Sequence, residues 1–382
     1  MVVFMEAPFN AGVLAWNMDA LRSSASAING AFPGCPLLAC ASKEGEQECR
    51  RLLPSATVFT PQGMDALLGY GGQRSDSIGH CRNLLQLASI CMGPQRPLSM
   101  LDDDVHPSAQ TRAAFESAFS AYDLVQGSYM GDQGNRIYAL AGFFDLLSQG
   151  EGAPSFWEKA HSALCGSAAA VAGAEAGQAP ALHSLAGGLA GISPALLGRN
   201  AFAPTRFRLE DHFFEFSSRF LFPSLSFMGK GVPEQSIPRA MHMRAASSSP
   251  NFLVDGYLLD VQSAIVESYF YFRLSGALPK IMGGSHRLVR ASGFDPIAAA
   301  QETCNDAALE KFKSAAEFYQ GKFQDAALSR ELSRIALLSV EDFIVPQGEL
   351  EREWESFEEE RQWLALSSIQ CRRDGQKILG GL

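Results

Sequence analysis

No run of about 18–20 apolar residues occurs in this chain, so no segment is expected to cross a bilayer as a helix. Met1 to Glu6 lacks the basic region and long apolar stretch of a secretion signal, which predicts a soluble, cytoplasmic protein. Among the eight cysteines none forms a Cys-x-x-Cys pair, which leaves a zinc ribbon or a redox motif little support. Scattered thiols in a chain of this size fit a reducing compartment better than a disulfide framework. Basic residues are also short. Thirty-one Lys and Arg stand against 41 Asp and Glu, a net charge of −10, which argues against a broad nucleic-acid-binding surface. Small anionic substrates remain compatible, provided that a metal or a local arginine cluster offsets the field.

What is present is a globular composition. The chain has 382 residues, 47% hydrophobic and 10% aromatic with 26 Phe, enough for one large domain or two ordinary ones. Short apolar runs at Val2–Met5, Pro36–Cys40, Thr57–Thr60 and Leu98–Leu101 read as strands. Helical spacing occupies Leu14–Ile28, Lys43–Leu53 and Ser77–Met92 between them, and Ala109–Tyr122 after them. This alternation predicts an α/β fold, a mostly parallel sheet with helices on both faces. Leu124–Tyr129 and Ile137–Phe144 fit strand or helix. The Ala- and Gly-rich stretch 150–180 reads as a helix with a loop or a covering lid. Helical patterns at Val254–Phe272, Pro296–Phe323, Leu328–Phe343 and Glu349–Ile369 predict an all-α C-terminal extension. The expected division is 1–250 for the α/β part and 251–382 for the helical part.

The most informative residues are Asp102, Asp103 and Asp104, which close the apolar run Pro97–Leu101. Three adjacent carboxylates at a strand end repel one another unless a cation sits among them. Oxygen ligands of this kind suit Mg²⁺ or Mn²⁺, which usually also hold a substrate phosphate. In parallel sheets ligands bind outside the carboxyl ends of the strands, where the triplet falls. The bland alternative is a surface loop or a helix cap.

Four further features follow in order. Arg82-Asn83 precedes the triplet, in the stretch Gly79-His-Cys-Arg82-Asn83. Gly187-Gly188-Leu-Ala-Gly191-Ile-Ser193 reads as a glycine-rich turn running into apolar residues. Glu210-Asp211 opens an aromatic helix, and His242 lies about thirty residues on. This order resembles the nucleotide-sugar glycosyltransferases of the GT-A fold. That family carries an Asp-x-Asp metal motif, a glycine-containing loop, an x-Glu-Asp motif, a C-terminal histidine and a Gly-x-x-Arg-Asn helix start. The likeness covers roughly residues 2–245, and the helical extension resembles the mannosylglycerate and glucosyl-phosphoglycerate synthases.

The resemblance implies a GT-A, Rossmann-like core and a metal-dependent transfer of sugar from a nucleoside-diphosphate sugar to a hydroxyl of a small-molecule or glycan acceptor. Asp102, Asp104 and His242 would hold Mn²⁺ or Mg²⁺. Arg82, Asp102, Asp103, Gly187 and Gly188 would contact the donor, with Asp103 turned toward backbone or nucleotide. Asp211, with Glu210, would serve catalysis and take the acceptor proton if the enzyme inverts; the extension leans toward retention. His106 and His212 are rival ligands, and Arg199 and Arg206 are further candidates for phosphate. Phe213, Phe214, Phe216, Phe220 and Phe222 read as core more readily than as a sugar platform. Two other functions compete. A sugar-nucleotidyltransferase would need a basic phosphate loop after the first strand, and Glu6–Gly12 holds no basic residue. An inactive GT-A-like interaction protein would use the acidic amphipathic stretch Glu349–Leu366 as a homodimer or partner helix, although a solvated face is the simpler reading.

Overall fold

The strands of the central sheet are apolar on both faces, as strands covered by helices on each side must be. Asn10–Ala15 (β1), Leu37–Ala41 (β2) and Leu98–Asp102 (β4) alternate between two hydrophobic clusters. Val13, Ala39 and Leu101 face one side, while Leu14, Leu38, Cys40 and Met100 face the other. The computed structural model describes residues 8–72, 76–131, 188–228, 232, 236–242, 253–282, 285–303, 330, 333–334 and 337–382.

Six strands form the main sheet, in the order β3-β2-β1-β4-β8-β6, with Ala56–Phe59 as β3, Leu124–Gln126 as β6 and Leu189–Ile192 as β8. Neighbours from β3 to β4 pair in parallel, and β8 runs antiparallel to both β4 and β6. The strand order reverses at β1, which places a crevice at the carboxyl ends of β1 and β4. A second, three-stranded sheet stands beside it. Its middle strand, Arg239–His242 (β9), pairs with Val105–His106 (β5) on one side and Ser128–Gly131 (β7) on the other.

Met18–Ala31 (α1), Glu46–Leu52 (α2) and Ala109–Ala118 (α5) contribute to the cluster on one face. Pro61–Leu68 (α3), Ile78–Met92 (α4), Glu210–Leu221 (α6), Leu253–Ser275 (α7), Pro296–Thr303 (α8), Val340–Phe343 (α9) and the 33-residue Gln347–Leu379 (α10) contribute to the other. That second cluster joins residues on both sides of position 250.

Several sequence expectations change. The first described strand is Asn10–Ala15, where a helix from Leu14 was expected, and the helix starts at Met18. Asn17 explains the shift: its side chain accepts from the backbone N–H of Asp19 and Ala20, a helix start that periodicity alone does not reveal. The C-terminal part is not all-α, because Ala277–Met282 (β10) and Ser285–Arg290 (β11) pair as an antiparallel hairpin. The stretch after Gly188 is strand β8, buried throughout. Gly191 is bare because a Cβ there would meet the Phe119 ring at 2.7 Å. The six described cysteines are free thiols. No helix of the described residues is long and apolar enough to cross a membrane. Val2–Met5, Ile137–Phe144, the 150–180 stretch and Gly187 lie outside the described residues, as do parts of the two helical patterns between 296 and 343.

Helix α4 is the central element of the second face, buried at every position from Gly79 to Cys91. Gly79 allows that approach, since a Cβ there would lie 2.0 Å from the Ala203 carbonyl oxygen. Asn83 donates to Phe202 O at 2.9 Å and accepts from Phe202 N at 2.8 Å, pairing with the passing backbone as a strand would. Gln86 accepts from Gly198 N at 3.1 Å. Asn200 then donates to Phe214 O, Ser217 and Ser218 on α6. Segment 198–203 is thus pinned to α4 at one side and holds α6 at the other.

His80 ties α10 into this packing. Its ring is fully buried, with Nδ1 2.8 Å from Glu360 of α10 and Nε2 2.8 Å from Asp65 of α3. Burial alone would lower the imidazole, but the bonds to Asp65 and Glu360 reverse this and raise it from 6.5 to about 9. The clamp therefore contributes fully below pH 6.5 and is lost as pH rises through about 9. That shift corresponds to at most ~3 kcal/mol. Replacing His80 by Asn should lower the melting temperature most near pH 6.5 and least above pH 9. Melting curves of both proteins across that window would check it, and a gap that does not change with pH would refute it.

Candidate functional site

The acidic triplet sits in the crevice, and its three carboxylates have three different neighbours. Asp102 ends β4, and its backbone N–H donates to Gly188 O at 3.1 Å. Its carboxylate faces the Arg82 guanidinium, with Oδ1 and Oδ2 3.3 and 3.4 Å from Nη2. Asp103 turns inward, and its Oδ2 accepts the backbone N–H of Trp16 at 2.6 Å and of Asn17 at 2.5 Å. Its carbonyl accepts from Ser24 Oγ at 2.5 Å. Asp103 thereby joins the end of β4 to the β1–α1 turn and the first helix. Burial pushes its carboxyl up to about 7, against the two N–H groups, which pull it down.

Asp104 faces the second sheet. Val105 pairs with His242 across β5 and β9, and this register brings His242 Nε2 to 3.0 Å from Asp104 Oδ2. The other oxygen, Oδ1, is buried and has no hydrogen-bond partner among the described residues. His106 lies on the same side, 3.4 Å from Ser23 Oγ. Burial lowers its imidazole, Asp104 raises it and His242 lowers it, so all three groups share one electrostatic neighbourhood.

Arg82 and α6 close the other wall. The Arg82 side chain is 5% exposed, and its Nη1 donates to Glu210 Oε1 at 2.9 Å. Glu210 and Asp211 lie in the first turn of α6, where carboxylates complement the helix dipole. Burial and then Asp211 push the Glu210 carboxyl up to about 6, although Arg82 pulls it down. Burial also raises Asp102, which Arg82 opposes and Asp104 and Asp211 reinforce. Asp102, Asp104, Glu210 and Asp211 thus lie in one electrostatic neighbourhood around the buried Arg82 guanidinium.

The sequence-predicted residues Arg82, Asp102, Asp104, Glu210, Asp211 and His242 come together, drawn from α4, β4, the turn after it, α6 and β9. Asp103 instead performs a structural task, and Arg82 is committed to Asp102 and Glu210. Gly188 flanks Asp102. His212 stands aside, with Nδ1 4.0 Å from Glu267. Arg199 and Arg206 are placed elsewhere: one lies over the Phe222 ring, and the other pairs with Glu349 at 2.5 Å. Phe213 and Phe214 are core, while Phe220 is exposed. Sequence reasoning missed Trp16, part-exposed at the end of β1 beside Asp103, because the first strand had been expected earlier in the chain.

The donor set at Asp104 and His242, a carboxylate and an imidazole with one unsatisfied buried oxygen, suits Mn²⁺ and tolerates Mg²⁺. Among the described residues no three His, Cys, Asp or Glu side chains already stand at metal-ligand spacing. An ion there would draw further oxygens from water or from a bound ligand. No protein-family model matches this sequence, and no curated protein matches it.

The division of labour is testable by denaturation. Asp103→Ala should cost ~1–3 kcal/mol, because it leaves two backbone donors without their acceptor. Arg82→Met should cost ~3 kcal/mol or more, because it leaves Asp102 and Glu210 uncompensated. Asp104→Ala should stay close to wild type in stability. A large loss in Asp104→Ala with none in Asp103→Ala would invert this assignment.

Proposed function

We propose that this chain is a metal-dependent glycosyltransferase of the GT-A kind, moving a sugar from a nucleoside-diphosphate sugar to a hydroxyl acceptor. The observation that carries the reading is the meeting of Asp104 with His242 beside Asp102, at the carboxyl edge of β4. The parallel run from β3 to β4, followed by antiparallel β8, also supports it. So does the Gly79, Arg82 and Asn83 set, whose members each serve the placement of the crevice wall. Buried free thiols favour a cytoplasmic enzyme.

Asp104 and His242, with Asp102, would hold the ion, which when bound supplies Lewis-acid stabilisation of charge on the leaving diphosphate. The chain's own groups arrange the rest. Arg82 keeps Asp102 and Glu210 in place and offsets their charge in a partly desolvated wall. Trp16, exposed just past the end of β1, would be the aromatic side chain available for stacking a nucleoside base. Glu210 is committed to Arg82, so in an inverting transfer Asp211 would be the carboxylate that takes the acceptor proton.

A thermal-shift screen of UDP, GDP, CDP and dTDP sugars, with and without Mn²⁺ or Mg²⁺, tests this reading. One nucleotide should raise the melting temperature only with metal, and Asp104→Ala and His242→Ala should abolish that rise while folding normally. If no nucleotide shifts the wild type with either ion, an inactive interaction protein becomes the better account.

A further inference from the structure

Helix α10 has two apolar faces, and the chain uses one of them. Its inward residues, among them Leu350, Trp354, Phe357, Leu364, Cys371 and Ile378, are buried. Leu366 lies two positions beyond Leu364, about 200° round the helix, and Ile369 follows one turn later on the same outward side. These two side chains remain 70% and 64% exposed.

Charge is ordered about this pair. Towards the N-terminus the exposed positions include Glu351, Arg352, Glu355, Glu359 and Gln362. Towards the C-terminus they include Arg373 and Lys377. The outward face therefore runs acidic, apolar, basic. Glu355 and Glu359 lie past the first turn, beyond the reach of the helix dipole, so helix polarity does not account for them. Positions 355, 359, 362, 366, 369 and 373 alternate by four and three, the spacing of a seam between paired helices.

We propose that this face is a homodimer interface, in which α10 of two copies packs antiparallel about a two-fold axis between Leu366 and Ile369. Leu366 of each copy then meets Ile369 of the second. Arg373 comes opposite Gln362 and within one turn of Glu359, and the axis repeats the contact to give a closed pair. A parallel pairing would set acid on acid and base on base. Asp374, paired with Arg373 at 2.8 Å, is the one acid in the basic half. The helix loses regular geometry at Asp374, so the residues up to Arg373 set the register. Two aliphatic side chains fall far short of the roughly 800 Å² per copy of a standard interface, so the charged arms must contribute and the dimer is weak. It is also sensitive to salt, which screens exposed pairs.

Sedimentation of the full chain over a micromolar concentration series, at low and high salt, tests the proposal apart from any catalytic reading. Wild type should dimerise at low salt and dissociate at high salt. Leu366→Glu and Ile369→Glu should each weaken the dimer by about tenfold or more with an unchanged melting temperature. Glu355→Lys/Glu359→Lys and Arg373→Glu/Lys377→Glu should each be monomeric alone and dimerise when mixed. Three results would overturn the proposal: a wild type that stays monomeric at low salt, a dimer indifferent to both glutamate variants, or a charge-swapped mixture that stays monomeric.

Discussion

Arg82 is a cation held almost entirely out of water, and the geometry of the crevice depends on it. Removing a guanidinium from water is unfavourable unless carboxylates take up its hydrogen bonds. Asp102 at the end of the sheet and Glu210 at the start of α6 do so from opposite sides. The ion pairs therefore set the distance between the sheet edge and the helix that forms the wall. Around them, Asn83 and Gln86 continue the same task with neutral hydrogen bonds, holding the 198–203 backbone against α4. Gly79 allows that backbone to come close enough for the bonds to form.

The triplet illustrates how three identical side chains acquire different roles from geometry. Successive residues leaving a strand point in different directions, so each carboxylate finds a different neighbour. Asp102 reaches Arg82, Asp103 takes the backbone of the β1–α1 turn, and Asp104 meets His242. Asp103 draws the ends of β1 and β4 together at the place where strand order reverses. The crevice is thus built on strand ends and helix starts. The carboxylates that face it repel one another, and the upward shift of Asp102 and Glu210 records that repulsion together with burial.

Much of this was legible from residue order. The alternation of β1 to β4 with helices follows from apolar runs separated by amphipathic ones. The carboxyl ends of strands are where such sheets bind ligands, so the place of the triplet follows from the order of the elements. The helix expected from Leu14 starts only at Met18, because the apolar spacing of Asn10–Ala15 fits strand as well as helix and the Asn17 cap decides between them. The apolar residues that follow Gly188 carry too many glycines to mark a strand by pattern, yet they form β8, where Gly191 makes room for the Phe119 ring. His80 carried no sequence signal, since its partner Glu360 lies 280 residues away.

The sequence by itself determined the fold class, the apolar faces and the set of chemical groups available: three adjacent carboxylates, Arg82, Glu210-Asp211 and His242. Local rules suffice there, since side-chain period and residue type reside in short stretches of chain. Tertiary structure alone decided which aspartate meets His242, that Arg82 serves Asp102 and Glu210, and that Asp103 belongs to the scaffold. It also decided that α10 reaches back to clamp His80. These are contacts between residues distant in sequence, fixed by strand register and helix packing, and no short window of sequence contains either partner's address.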